Sequence, residues 1–223
     1  MAVQAKETVP LLKEIAMDPN NPYAAPTVEL IDAQAPQCLP GWSPSQLRLQ
    51  GWLNLVSLVC TLLGIGLAFV PDLLALSDWL GAATTLLGCY LVLRLKAFLQ
   101  ARFDARGLDW PVWASVVLGI VLEGVQLYWG DAELTEFNAP SFLYFGLLAL
   151  LGLVVLWLGI VLLKVENAYP VLRVLAWLEI ASGVMVASVV LLVVGVLPLL
   201  AAMVATALVF FHGAKELEGS QAA

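Results

Sequence analysis

The charged residues of this chain fall in clusters, and the long runs between the clusters carry almost none. Trp52 to Val70 has no charge, and neither has Ser141 to Leu163. Trp110 to Trp129 has only Glu123. Trp79 to Leu99 has Arg94 and Lys96 near its end, where long basic side chains reach toward headgroups. A helix crossing the hydrocarbon layer needs about 20 apolar residues, so each run is long enough to cross once. The stretch from Pro170 to Phe211 has only Arg173 and Glu179 and is long enough for two crossings. Gly195 and Pro198 mark the expected turn within it, since both weaken helix continuity. The predicted spans are 52–70, 79–99, 110–129, 141–163, 171–193 and 197–213.

Composition agrees. The chain has 223 residues, 61% hydrophobic and 12% charged, against about half and about a quarter in a soluble domain. A water-soluble globule, a disordered chain and a disulfide scaffold are all excluded. The runs are continuous Leu, Val and Ala, not the alternating segments of an outer-membrane barrel. The net charge of −7 argues against nucleic acid, which needs a basic surface. The polar first 50 residues hold no apolar core of signal-peptide length. The fold class is therefore an all-α integral membrane protein, a bundle of six transmembrane helices in three hairpins.

Orientation follows from the ten Lys and Arg residues. Lys6, Lys13 and Arg48 precede the first span, and Arg94, Lys96, Arg102 and Arg106 surround the second connection. Lys164 and Arg173 flank the fourth, and Lys215 follows the sixth span. The connections 71–78, 130–140 and 194–198 have none. Cytoplasmic loops carry the Lys/Arg excess, so both termini are predicted to be cytoplasmic, in a bacterial inner membrane. The opposite loops carry Asp72, Asp78, Asp131, Glu133 and Glu136. Trp52, Trp79, Trp110 and Trp129 fall at span ends, where amphipathic rings prefer the interface. Trp157 and Trp177 fall inside spans and are expected to be packing residues.

Residues 1–50 form a proline-rich arm that is expected to be mostly disordered, with one candidate interfacial helix from Thr8 to Met17. Leu95, Phe98, Leu99 and Phe103 have helical spacing, with Arg102 and Arg106 on the polar side. That pattern suits a short amphipathic helix on the inner membrane surface, held by anionic headgroups, or an ordinary basic loop.

The basic loops divide the bundle into three hairpins whose first helices start at Trp52, Trp110 and Tyr169. Gly66, Gly124 and Gly183 each lie fourteen residues further on, and Gly88 and Gly146 are also in register. The spacing fits three parallel repeats, and it also fits aromatic belts and the ordinary glycine content of membrane spans. Small residues let helices approach closely. Gly64 with Gly66, Gly81 with Gly88, Gly119 with Gly124, and Gly152 with Gly159 are expected to form such faces.

Two carboxylates lie at membrane depth. At 1.5 Å per residue, Glu123 is about 20 Å and Glu179 about 13 Å from the start of its span. A charge at such depth costs at least ~2.5 kcal/mol, so each is expected to carry a proton or a partner. Gln126 extends the polar face of Glu123, and Ser182 extends that of Glu179. The four residues are the candidate intramembrane site: either a proton or cation path, or hydrogen bonds that fix helix packing.

Other chemistry has little support. His212 is the only histidine, so paired haem ligation within the chain is excluded and a zinc site would need other ligands. Cys38, Cys60 and Cys89 form no close pair and no Cys-x-x-Cys. There is no glycine-rich phosphate loop. The expectation is a non-enzymatic scaffold or accessory subunit without cofactor or metal. Its partners are the lipid bilayer and another membrane protein or a second copy. The alternative is a small transporter or channel using Glu123 and Glu179.

Overall fold

The computed structural model describes Leu39, residues 41–135 and residues 138–221. The candidate helix at Thr8–Met17, Cys38 and the proline-rich arm up to residue 38 lie outside the described residues. Six long helices are present: α1 (Pro44–Leu67), α2 (Leu74–Phe103), α3 (Asp109–Thr135), α4 (Ala139–Leu163), α5 (Pro170–Ala187) and α6 (Leu192–Gln221). A short 3-10 turn, Pro71–Leu73, leads into α2. All six are long and apolar enough to cross a membrane, and the chain has the form of a multi-pass membrane protein.

Local chemistry sets the ends. Pro44, Pro71, Pro111, Pro140 and Pro170 each stand in the first turn of an element, where no N–H is required. Ser43 caps α1: its Oγ accepts the Gln46 N–H at 3.2 Å, and Gln46 Oε1 accepts the Ser43 N–H at 3.2 Å. Asn138 caps α4 in the same way, its Oδ1 accepting the Ser141 N–H at 3.0 Å. These reciprocal caps satisfy donors that the first helical turn leaves open. The regular part of α3 ends at Gly130, whose φ of +72° breaks the helix.

Three boundaries differ from the sequence reading. The helix α1 starts at Pro44, well before Trp52, because the Ser43 capping box nucleates it there. The helix α6 runs through Pro198 to Gln221. The turn between α5 and α6 lies at Ser188–Leu191, not at Gly195 and Pro198. Ser188 makes it: its hydroxyl donates to the Met185 carbonyl at 2.7 Å and accepts the Leu191 N–H at 3.2 Å. Val189 takes up the reversal at φ +58°. Gly195 serves close approach instead, since a Cβ there would sit 3.0 Å from Met185 Cβ. Pro198 lies in the second turn of α6 and forgoes one helical hydrogen bond.

Each helix packs against its neighbours in sequence, and α1 also packs against α6. The six helices therefore close into a ring. The outside is apolar: Val56, Leu63, Val117, Trp177 and Val193 are all exposed. That is the surface a lipid would cover, and it is far more than a soluble monomer leaves open. Trp157 and Trp177, expected as packing residues, stand on this outer surface.

The buried core gathers at the end that carries the basic loops. Every helix supplies it, with Leu47, Phe98, Val112, Leu162, Leu172 and Phe210 almost wholly buried. The apolar stripe Leu95, Phe98 and Leu99 belongs to this plug. The stretch continues α2, as its spacing suggested, but its apolar face is buried against the other helices and not laid on a membrane surface. The basic side chains there bind protein groups and not headgroups alone. Arg94 stacks 4.2 Å above the Trp42 ring. Lys96 pairs with Asp109 at 2.5 Å.

Backbone-to-backbone glycine packing is concentrated on one pair. A Cβ at Gly183 would lie 2.5 Å from Leu156 N, and one at Gly152 would lie 2.4 Å from Ala187 N. Gly159 is similarly close to the Ala176 carbonyl, at 2.8 Å. Only glycine allows α4 and α5 to meet backbone to backbone in this way. Around Gly66, Gly88, Gly124 and Gly146 there is open space instead, so the glycines of the three hairpins are not equivalent. Gly183→Ala is expected to destabilise the protein by about 1–3 kcal/mol, as overpacking does. Gly124→Ala is expected to be neutral or slightly stabilising, since Ala is the better helix former. Thermal unfolding in detergent checks both, and equal behaviour of the two variants would contradict this packing.

Candidate functional site

Inside the ring is a cavity of about 520 Å³. Every helix contributes a polar side chain to its wall. Asn54, Ser57 and Thr61 come from α1, and Thr84 and Thr85 from α2. Ser115, Glu123 and Gln126 come from α3, Tyr144 from α4, Glu179 from α5 and Thr206 from α6. The rest of the wall is mostly Leu and Val, and no Lys, Arg or His among the described residues borders it. A second hollow of about 240 Å³ extends toward the acidic-loop end, past Gly64 and Ala68 to Ser77 and Asp78. The two share Thr61, Thr84, Glu123 and Gln126, so Glu123 stands where one passes into the other.

The structure brings Glu123, Gln126 and Glu179 to one cavity. The Glu123 carboxylate accepts the Thr85 hydroxyl at 2.7 Å. Gln126 Oε1 accepts the Tyr144 hydroxyl at 3.4 Å, which ties α3 to α4. Glu179 is half-buried on the cavity wall, and its carboxylate makes no hydrogen bond or ion pair with any described residue. Ser182 is not in the cavity. It is fully buried, and its hydroxyl donates to the Glu179 backbone carbonyl at 3.0 Å. Three residues along a helix, a serine closes this local bond more readily than it follows its neighbour's side chain.

Four of the hydroxyls around the cavity donate into their own helices. Thr61 donates to the Ser57 carbonyl at 2.9 Å, Ser115 to the Pro111 carbonyl at 2.7 Å and Thr206 to the Ala202 carbonyl at 2.9 Å. Thr84 donates to the Leu80 and Gly81 carbonyls. A hydroxyl has one donor and two acceptor lone pairs. With the donors used in the helix backbones, these residues present acceptors to the interior. Sequence reasoning missed this lining, although Gln50, Asn54, Ser57 and Thr61 form a polar stripe at helical spacing in an otherwise apolar run.

The cavity is closed at the basic-loop end by the aromatic plug and by a polar clamp on the last turns of α6. Glu216 accepts hydrogen bonds from Arg102 on α2 and from the Tyr169 hydroxyl. Arg48 on α1 pairs with Glu218 at 2.6 Å. Burial and the neighbouring Glu216 carboxylate push the Tyr169 phenol above its ordinary range, so it remains a donor. The α6 helix has 30 residues, about 45 Å, and the hydrocarbon layer is about 30 Å. The helix is therefore longer than one untilted crossing needs.

No protein family, no curated protein and no solved structure matches this chain. Among the described residues, no group of three or more His, Cys, Asp or Glu is placed to hold a metal ion.

Cys60 borders the hollow at the acidic-loop end and has a free thiol. In a Cys38→Ser background, a membrane-impermeant maleimide is expected to modify Cys60 from the acidic-loop face and not from the basic-loop face. Labelling is read by mass spectrometry of the Cys60 peptide. No modification from either face, or equal modification from both, would contradict a hollow that opens at one end.

Proposed function

We propose that this protein carries a proton or a small cation across a bacterial inner membrane, using the cavity between its six helices. The carrying observation is that Glu123 and Glu179, from separate helices, border one cavity with no basic side chain on its wall. The Lys/Arg bias of the loops supports a cytoplasmic plug and a hollow facing the periplasm. The reading is of a carrier and not an enzyme.

A carboxylate in a low-dielectric interior is costly unless it is neutralised. Glu179 has no partner among the described residues, so a proton and a cation compete for its carboxylate. Binding one therefore displaces the other, and this exchange couples their movement. Glu123, already bonded to Thr85, stands on the path from the hollow to the inner cavity. Passage to the other side requires the plug around Phe98 and the Glu216 clamp to open. A scaffold acting through partners gains no comparable feature among the described residues.

Purified protein in liposomes, loaded with a pH-sensitive dye, tests the reading. Wild type is expected to carry cation or proton flux. Glu179→Gln and Glu123→Gln are each expected to slow it roughly tenfold or more, a barrier change of about 1.4 kcal/mol upward. No flux from wild type, or unchanged flux in both variants, would refute the proposal.

A further inference from the structure

We infer that the substrate of the cavity is an amphipathic ammonium ion, with its N–H donors on Glu179 and its apolar body against the aliphatic wall. This rests on the transport reading above and narrows it to a substrate class.

Four observations converge. The wall carries two carboxylates and no cationic side chain, so an anion has no counter-charge there. The two carboxylates differ: Glu123 already accepts the Thr85 hydroxyl, and Glu179 has no partner among the described residues. Glu179 is thus the group whose hydrogen-bonding capacity a ligand completes. The hydroxyls of Thr61, Ser115 and Thr206 donate backward into their own helices, so the interior offers acceptors to a donor-rich headgroup. Finally, Leu148, Leu151, Val155 and Leu199 line the same space.

Size and coordination separate this ligand from a bare metal ion. A volume of about 520 Å³ falls in the range of sites for small organic molecules, roughly 300–1,000 Å³. A hard cation such as calcium takes about six or more oxygens in a close shell. Among the described residues only two carboxylates border this cavity, they come from different helices, and no group of three or more His, Cys, Asp or Glu is placed to hold a metal ion. An ammonium group needs just a few acceptors on one side, and its hydrocarbon part uses the aliphatic remainder.

The probe is radiolabelled 4-phenylbutylammonium, bound to the full chain in nanodiscs, with empty nanodiscs as the blank. The neutral 4-phenylbutan-1-ol and the anionic 4-phenylbutyrate are the comparisons. Saturable binding of the ammonium alone is expected, weakened roughly tenfold or more by Glu179→Gln and retained by Glu179→Asp. Gly88→Leu is an independent variant, since Gly88 lines the cavity and a Cβ there meets no atom within 4 Å. It replaces neither carboxylate, takes up part of the space and is expected to weaken binding similarly. Unfolding curves of each variant show that the bundle is intact. The inference is overturned if wild type carries proton or alkali-cation flux but binds no ammonium probe. It is also overturned if the alcohol binds as tightly, or if neither Glu179→Gln nor Gly88→Leu weakens binding. Saturable binding without flux of any cation would support the site and refute the transport reading instead.

Discussion

The architecture depends on one contact, the packing of the first helix against the last. Gly51 makes it possible, because a Cβ there would lie 2.6 Å from the Phe211 ring. Trp52 meets the same ring edge-on at 5.8 Å, and Arg48 pairs with Glu218 below it. With this contact the row of helices becomes a ring, and the space along its axis becomes a cavity. Without it, Asn54, Ser57 and Thr206 would stand on the open edge of a groove and face lipid. The same region holds the Phe98 plug, where Phe98 packs on Phe210 and against Gly213. One patch of contacts therefore both closes the ring and seals one end of it.

The remaining features follow from having a polar interior inside an apolar shell. Lipid gives helices no hydrophobic reason to associate, so packing comes from backbone contact and hydrogen bonds. The α4–α5 pair uses glycine, with Gly152, Gly159 and Gly183 removing side chains from its contact. The helices α2 and α3 use Thr85 and Glu123. The tight glycines Gly152, Gly159 and Gly183 leave no space between α4 and α5, whereas Gly88 and Gly119 line the cavity. Glu123 therefore has a packing role through Thr85 as well as a place on the wall of both hollows. Glu179 has only the cavity.

Much of the fold was legible in the sequence, since spans without charge and alternating basic loops leave few arrangements. The errors were at boundaries, and each has a local cause. Ser43 with Gln46 is a capping box hidden among the prolines of the arm, and it starts α1 early. Gly195 and Pro198 suggested a turn, but Ser188 forms it with two side-chain hydrogen bonds. The carboxylates were visible as charges in apolar runs, and their shared cavity was not. Sequence spacing relates residues along one helix, whereas the closing of the ring relates six of them. For the same reason Ser182 was placed beside Glu179, although its hydroxyl belongs to the backbone.

The central claim is that both glutamates face one water-accessible interior. A water-soluble carbodiimide with a hydrophilic amine tags carboxyl groups that water can reach. Applied to membranes containing the full chain, it is expected to tag Glu123 and Glu179 as well as Asp72 and Asp78, as read by peptide mass spectrometry. Tagging of Asp72 and Asp78 with neither glutamate modified would contradict a hydrated cavity and leave the two as packing residues.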